Sequence, residues 1–155
     1  QITEDQLNAI LEAANAAPAC MGQYDHLHLT VVQKPEILAQ INAAFQKAVN
    51  DPNMQVTYGA PTVIYVSCKN EDEEIIKGCN AGVVMENMLL EAADLGLGAV
   101  YLFGVSQVLF ANEEITKLLQ IPEGFRTVSA IAVGISADAL QERTLGTDKI
   151  STTTL

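Results

Sequence analysis

The stretch from Cys79 to Gly104, CNAGVVMENMLLEAADLGLGAVYLFG, constrains this chain more than any other. Between Asn80 and Leu95 the polar positions are Asn80, Glu86, Asn87, Glu91 and Asp94, and all but Glu86 fall on one narrow stripe at helical spacing. The rest of the circumference is apolar. A helix of that kind has to be buried on several sides, by a sheet, by other helices or by a second copy of the chain. Gly96-Leu97-Gly98 supplies the left-handed stop. The β-prone run Ala99 to Phe103 follows at once, and Gly104 closes it with a backbone edge open to a ligand.

The segments on either side carry their own local signals. Thr3 and Gln6 form a capping box with Ile2 and Leu7 as its staple, and the helix they start has to end before Pro18. A loop of small residues, APACMGQYDHLH, then leads into a short strand, Leu29 to Val32. Pro35 suits a first helical turn, and Ile37, Leu38, Ile41, Phe45, Ala48 and Val49 continue at helical spacing until Asn50-Asp51-Pro52-Asn53. Thr62 to Cys68 is a continuous β-branched and aromatic run, the mark of a strand buried on both faces. Glu71-Asp72-Glu73-Glu74 reads as a solvated helix start or loop. Asn112 caps a short helix with Ile115, Leu118 and Leu119 inside, and Thr127 to Ile135 is a last strand. From pattern alone, strands alternating with helices predict a layered α/β domain with a parallel sheet.

At 155 residues the expectation is a single domain over 1–155, with a polar tail, 136–155, either mobile or docked on a partner. No apolar run reaches the roughly 20 residues of a membrane span and no leader is visible, so no membrane is expected and the default is cytoplasmic. Eight basic against 19 acidic residues, a net charge of −11 with no basic cluster, argue against a nucleic-acid partner. Cys20, Cys68 and Cys79 have no zinc-ligand spacing and read as small core residues, with Cys20 the exception because it lies in the loop. His26-Leu27-His28 offers two imidazoles without a third ligand, so no metal site is expected. No GxSxG, GxGxxG or GxxxxGK[ST] motif occurs. The small-residue loop, the strand edge ending in glycine and the surplus apolar surface suit a flat, largely apolar ligand.

In serial order, "ILEAANAAPACMGQ", "LHLTVVQKPEIL", "GAPTVIYVSCK", "AGVVMENMLLEAADLGLGAVYLFG" and "IPEGFRTVSAIAVGIS" resemble the compact FMN-dependent nitroreductase family over nearly the whole chain. The resemblance implies an α+β fold, a mixed β-sheet flanked by helices in an intertwined homodimer whose central helix packs against its twin. It implies FMN at the dimer interface, NAD(P)H as hydride donor, and nitroaromatic, quinone or related acceptors. Carried over by position, Pro18, Ala19, Cys20 and Met21 contact the flavin from one subunit. Tyr101, Leu102, Phe103 and Gly104 lie over its ring system, and Arg143 and Lys149 lie where a C-terminal basic residue meets the phosphate. No catalytic side chain is implied, because the flavin carries the chemistry. The family usually begins with an arginine-containing segment that grips the FMN phosphate; this sequence starts at Gln1, just past where that segment would lie, and within it no basic residue precedes Lys34. Two readings therefore stand: an FMN oxidoreductase whose phosphate is held by backbone amides, Arg143 or Lys149 and the partner subunit, or a nitroreductase-like dimer that has lost tight FMN binding and serves as a ligand-binding or interaction module.

Overall fold

The computed structural model describes residues 1–104, 112–138 and 141–155. Its first helix, α1 (Glu4–Asn15), opens on the expected capping box. Gln6 N–H donates to Thr3 Oγ1 at 3.2 Å and Thr3 N–H donates to Gln6 Oε1 at 2.9 Å. Ile2, the staple residue, is buried in the same apolar cluster that Leu7 packs against. Such a cap contributes about 1 kcal/mol to holding the helix start in place.

Strands β1 (Leu27–Val32), β2 (Thr62–Lys69), β3 (Gly98–Tyr101) and β4 (Phe125–Gly134) form one sheet in the order β1-β2-β4-β3. All three pairings are antiparallel: Leu27 faces Cys68, Thr62 faces Val133 and Gly98 faces Gly134. The parallel sheet expected from alternation alone is therefore corrected, and the α+β layering is what forms. The reason is topological. Helix α3 (Glu74–Asp94) carries the chain back after β2, so β3 does run in the same direction as β2. The last strand then inserts between them, antiparallel to both.

The sheet is covered on both faces, as the unbroken apolar run in β2 requires. Ile64, Val66, Ile131 and Val133 point to the side of α1 and α3. Val63, Tyr65, Ala130 and Ala132 point to the other, where Ile41 and Phe45 of α2 (Pro35–Val49) and Ile115 and Leu119 of α4 (Glu113–Leu118) and its C-cap complete the layer. Each fully buried branched side chain here contributes about 1.5–3 kcal/mol. Of the cysteines, only Cys68 is core; Cys79 is exposed and Cys20 intermediate, so the reading of Cys79 as a core residue is overturned.

Helix α3 starts earlier than its apolar stretch, at Glu74, and ends as the glycines foretell: Gly96 has φ 69°, and the N–H groups of Gly96 and Leu97 donate back to Ala93 and Ala92. Its orientation is the less obvious finding. Asn80 and Asn87 of the polar stripe face inward, and the solvent side carries Ile75, Cys79, Glu86, Leu90 and Ala93, with Ile75 68% and Leu90 60% exposed. Among the described residues no helix is long and apolar enough to cross a membrane.

Candidate functional site

The loop between α1 and β1 is a ladder of tight turns. Gly22 N–H donates to Ala19 O, Gln23 N–H to Cys20 O and His26 N–H to Gln23 O, at 3.0 to 3.1 Å. Met21 takes φ 54° and stands 86% exposed, so its side chain is offered outward. Three longer-range bonds fix the ladder. Cys20 N–H donates to Asn80 Oδ1 at 2.8 Å, Tyr24 OH to Ala17 O at 3.0 Å, and the His26 ring meets Asp72 Oδ1 through Nδ1 at 2.7 Å. Asn80, almost fully buried in α3, thus satisfies a loop donor that would otherwise be stranded. A cavity of about 260 Å³ bordered by Tyr24, His28, Leu29 and Val84 opens beside the loop.

At the opposite edge of the sheet, β3 stops at Tyr101, two residues short of the expected Phe103. Leu102 is buried, its N–H donating to Ala130 O, and Phe103 and Gly104 already take helical conformation. Leu102 continues the strand's alternation into the second core layer beside Val100, and the chain leaves the sheet only after it. Tyr101 and Phe103 stack near-parallel, centroids 6.3 Å apart at 14°, and both are exposed. A separate groove of about 430 Å³ runs beside this edge between Tyr58, Pro61, Gly98 and Ser136. There a Cβ on Gly134 would meet Pro61 Cδ at 2.9 Å, which explains the glycine.

The structure does not bring the two segments together within one protomer. β1 and β3 are separated by two strands, about 14 Å at the usual inter-strand spacing. Pro18 to Met21 belong to the first edge and Tyr101 to Gly104 to the second. Arg143 and Lys149 lie exposed in the tail, outside any helix or strand.

Charge is concentrated elsewhere, at the end of the sheet where β2 leads into α3. Lys69 reaches Asp25 at 3.3 Å, and Glu74 binds both Lys77, at 3.1 Å, and Arg126. The hydrogen bond from Lys69 holds the Asp25 carboxyl below its ordinary range, and those from Lys77 and Arg126 do the same for Glu74. The acidic run is therefore not merely solvated. Three of the eight basic residues are committed here; among the described residues Arg143 and Lys149 form no ion pair. His26 lies in a turn before β1, and His28, within β1, packs edge-on to Phe125. Among the described residues no cluster of three metal-ligating side chains forms.

The sequence profile of the nitroreductase family matches residues 1–135. The chain belongs to the nitroreductase family. It is 30% identical over 142 residues to a Methanothermobacter thermautotrophicus protein named as an NADH dehydrogenase/NAD(P)H nitroreductase, spanning 89% of this chain and 69% of that one. A protein of the same name from Archaeoglobus fulgidus is likewise 30% identical, over 138 residues, covering 89% of this chain and 76% of its own. Among solved structures, a Bacteroides fragilis nitroreductase with bound FMN superposes with a TM-score of 0.82 at 26% identity, over 99% of this chain and 89% of that one. A Desulfitobacterium hafniense nitroreductase matches at 0.84 and 21% identity, over 99% and 88%, a likeness of fold.

For a nitroreductase, the residues that sequence reasoning missed are the supports of the loop. Asn80 was visible as a polar residue on an otherwise apolar helix, but its partner was not. Asp72 was visible only as one acid in a run of four.

Proposed function

We propose that this nitroreductase is an FMN-dependent oxidoreductase acting as a homodimer, with NAD(P)H as donor and a quinone, nitroaromatic or related compound as acceptor. The observation that carries the reading is the match, over 99% of the chain, to a family member with bound FMN. The architecture fits it. Two segments that both suit a flat ring system stand on opposite edges of the sheet, so a complete site needs the loop of one copy and the Tyr101–Gly104 segment of another. The exposed apolar stripe of α3, Ile75, Cys79, Leu90 and Ala93, is the surface through which two copies would pack, and the tail 136–155 would dock on the second copy.

When bound, FMN supplies the two-electron chemistry, taking hydride from the donor and passing it to the acceptor. The protein's part is binding and orientation. Pro18, Ala19, Cys20 and Met21 give a stiff wall on one side. Tyr101 and Phe103 give aromatic surface on the other. Arg143 and Lys149 are uncommitted cations for the phosphate.

The test is an absorption spectrum of the purified protein before and after adding FMN, with unbound flavin removed by gel filtration. Flavin bands co-eluting near one per chain, followed by NAD(P)H oxidation with quinones or nitro compounds, are expected. A colourless dimer that does not retain added FMN would overturn the reading and leave a non-catalytic binding module.

A further inference from the structure

His26 and Asp72 have no part in the chemistry above, yet both side chains are largely buried, 16% and 10% exposed, and they meet at 2.7 Å. A carboxylate accepts, so the Nδ1–H of His26 donates to Asp72 Oδ1, while the Nε2 side of the ring looks toward Asp25 at 4.0 Å. The second oxygen of Asp72 is buried with no partner among the described residues. A buried carboxylate served on one oxygen alone costs stability, and a surface residue would avoid it. The contact forms in spite of that cost, and its place in the fold explains what it does.

We propose that the His26–Asp72 pair is a latch that sets the shape of the flavin-facing loop, making His26 a positioning residue for the cofactor site. Two successive tight turns, Cys20–Gly22 and Tyr24–His26, share Gln23, whose N–H donates to Cys20 O and whose carbonyl accepts from His26 N–H. Asp72 stands immediately before Glu73, the N-cap of α3, and Asn80 of the same helix holds the middle of the loop at Cys20. The two anchors therefore clamp the loop to one rigid element at its centre and at its far end. Releasing the far end frees the turns that hold Cys20 and Met21 in register, although neither His26 nor Asp72 faces the site. This inference rests on the proposed FMN reading for its consequence, and the latch itself is measurable without flavin.

The experiment compares His26→Ala, His26→Asn and the double variant His26→Ala/Asp72→Asn with the unaltered chain. The readouts are amide exchange of the 16–26 segment by mass spectrometry, FMN dissociation by fluorescence, and thermal unfolding. His26→Ala is expected to speed exchange in that segment about tenfold and to weaken FMN by about tenfold, the scale of one lost charge-assisted bond. His26→Asn, which keeps an N–H near the Nδ1 position, restores both to within about threefold. The double variant strands no buried charge, so it regains most of the thermal stability that His26→Ala loses. It stays impaired in loop order and FMN retention. Unchanged exchange in His26→Ala overturns the latch. Faster exchange with unaltered FMN affinity overturns its coupling to the site, as does a double variant that recovers both. If His26→Ala does not fold, the double variant decides alone. If the unaltered chain binds no FMN, the FMN reading fails while exchange still tests the latch.

Discussion

The two segments proposed to face the flavin are built in opposite ways. The Pro18–Met21 loop is polar in its supports: a ladder of turns, Asn80 beneath Cys20, and the His26–Asp72 contact at its end. The Tyr101–Gly104 segment is held by backbone pairing of Tyr101 with Ile131, by the Leu102 N–H bond to Ala130 O and by burial of Leu102. It has no side-chain hydrogen bond among the described residues, and it leaves Tyr101 and Phe103 stacked on each other in the open. A wall fixed by directional bonds defines where a ring system must lie; an apolar surface accepts whatever flat group is laid on it. If both segments face the cofactor as proposed, the loop would set its geometry and the aromatic edge would set tolerance toward what is bound. On the proposed reading, each half depends on a second copy of the chain to supply the other.

The largest effect should come from denying that second copy. Ile75→Glu/Leu90→Glu places two charges on the exposed apolar stripe of α3, where neither side chain supports the protomer's own core. Circular dichroism should remain unchanged, light scattering should report a monomer, and FMN retention should vanish. A variant that stays dimeric and yellow would show that the two half-sites meet through another surface.

Next comes the phosphate. Arg143→Ala/Lys149→Ala removes two uncommitted cations, and since charge-assisted hydrogen bonds contribute about 1.5–3 kcal/mol each, FMN affinity should fall about a hundredfold or more. Titration of flavin fluorescence reads this directly. Unaltered affinity would shift the phosphate to backbone amides and remove the tail from the site.

A smaller effect separates the two constructions themselves. Asn80→Ala leaves the half-buried Cys20 N–H without its Asn80 acceptor and should cost about 1–3 kcal/mol in denaturant unfolding. Asn87→Ala, which loses a bond to Ala13 O in a half-buried setting, should cost about 1 kcal/mol. Phe103→Ala, on the open edge, should stay within about 0.5 kcal/mol. Equal costs at Asn80 and Phe103 would erase the distinction between a bonded wall and a laid surface.

What could be read ahead of the structure was whatever is decided locally. The Thr3–Gln6 box, the Asn112 cap, the stop at Gly96 and the doubly buried Thr62–Cys68 run each depend on residues a few positions apart, and each is found where spacing placed it. Strand order was not legible, because alternation sets the relative direction of β2 and β3 but is silent on the later arrival of β4 between them. The face presented by α3 was not legible either. Periodicity locates a polar stripe without saying whether it meets water or protein, and the partners of Asn80 and Asn87 are 60 and 74 residues away. His26 invited a metal reading with His28 because they are two residues apart; its actual partner, Asp72, is 46 residues distant. The residues proposed for the flavin site came from resemblance, and nothing in their own types, apart from the aromatic pair, would have singled them out.

The smallest predicted effect lies at the charged end of the sheet, which supports the loop through Lys69 and Asp25 and joins α3 to β4 through Glu74 and Arg126. Lys77 and then Arg126 hold Glu74 below its ordinary value of 4.5, so the folded chain keeps this carboxylate ionised where the unfolded chain takes up a proton. The stabilisation is therefore complete above about pH 4.5 and is lost as the pH falls through the lower folded value. Glu74 is open to solvent, where salt screens such pairs, so the contribution is small and should shrink further in high salt. Glu74→Gln should flatten the acid limb of a plot of unfolding midpoint against pH below 4.5. It should leave FMN affinity at pH 7 unchanged, because Glu74 is paired with Lys77 and Arg126 and with neither anchor of the loop. A matching loss of flavin in Glu74→Gln would mean that the bonded wall extends to the first turn of α3, and the separation drawn between loop support and sheet support would have to be given up.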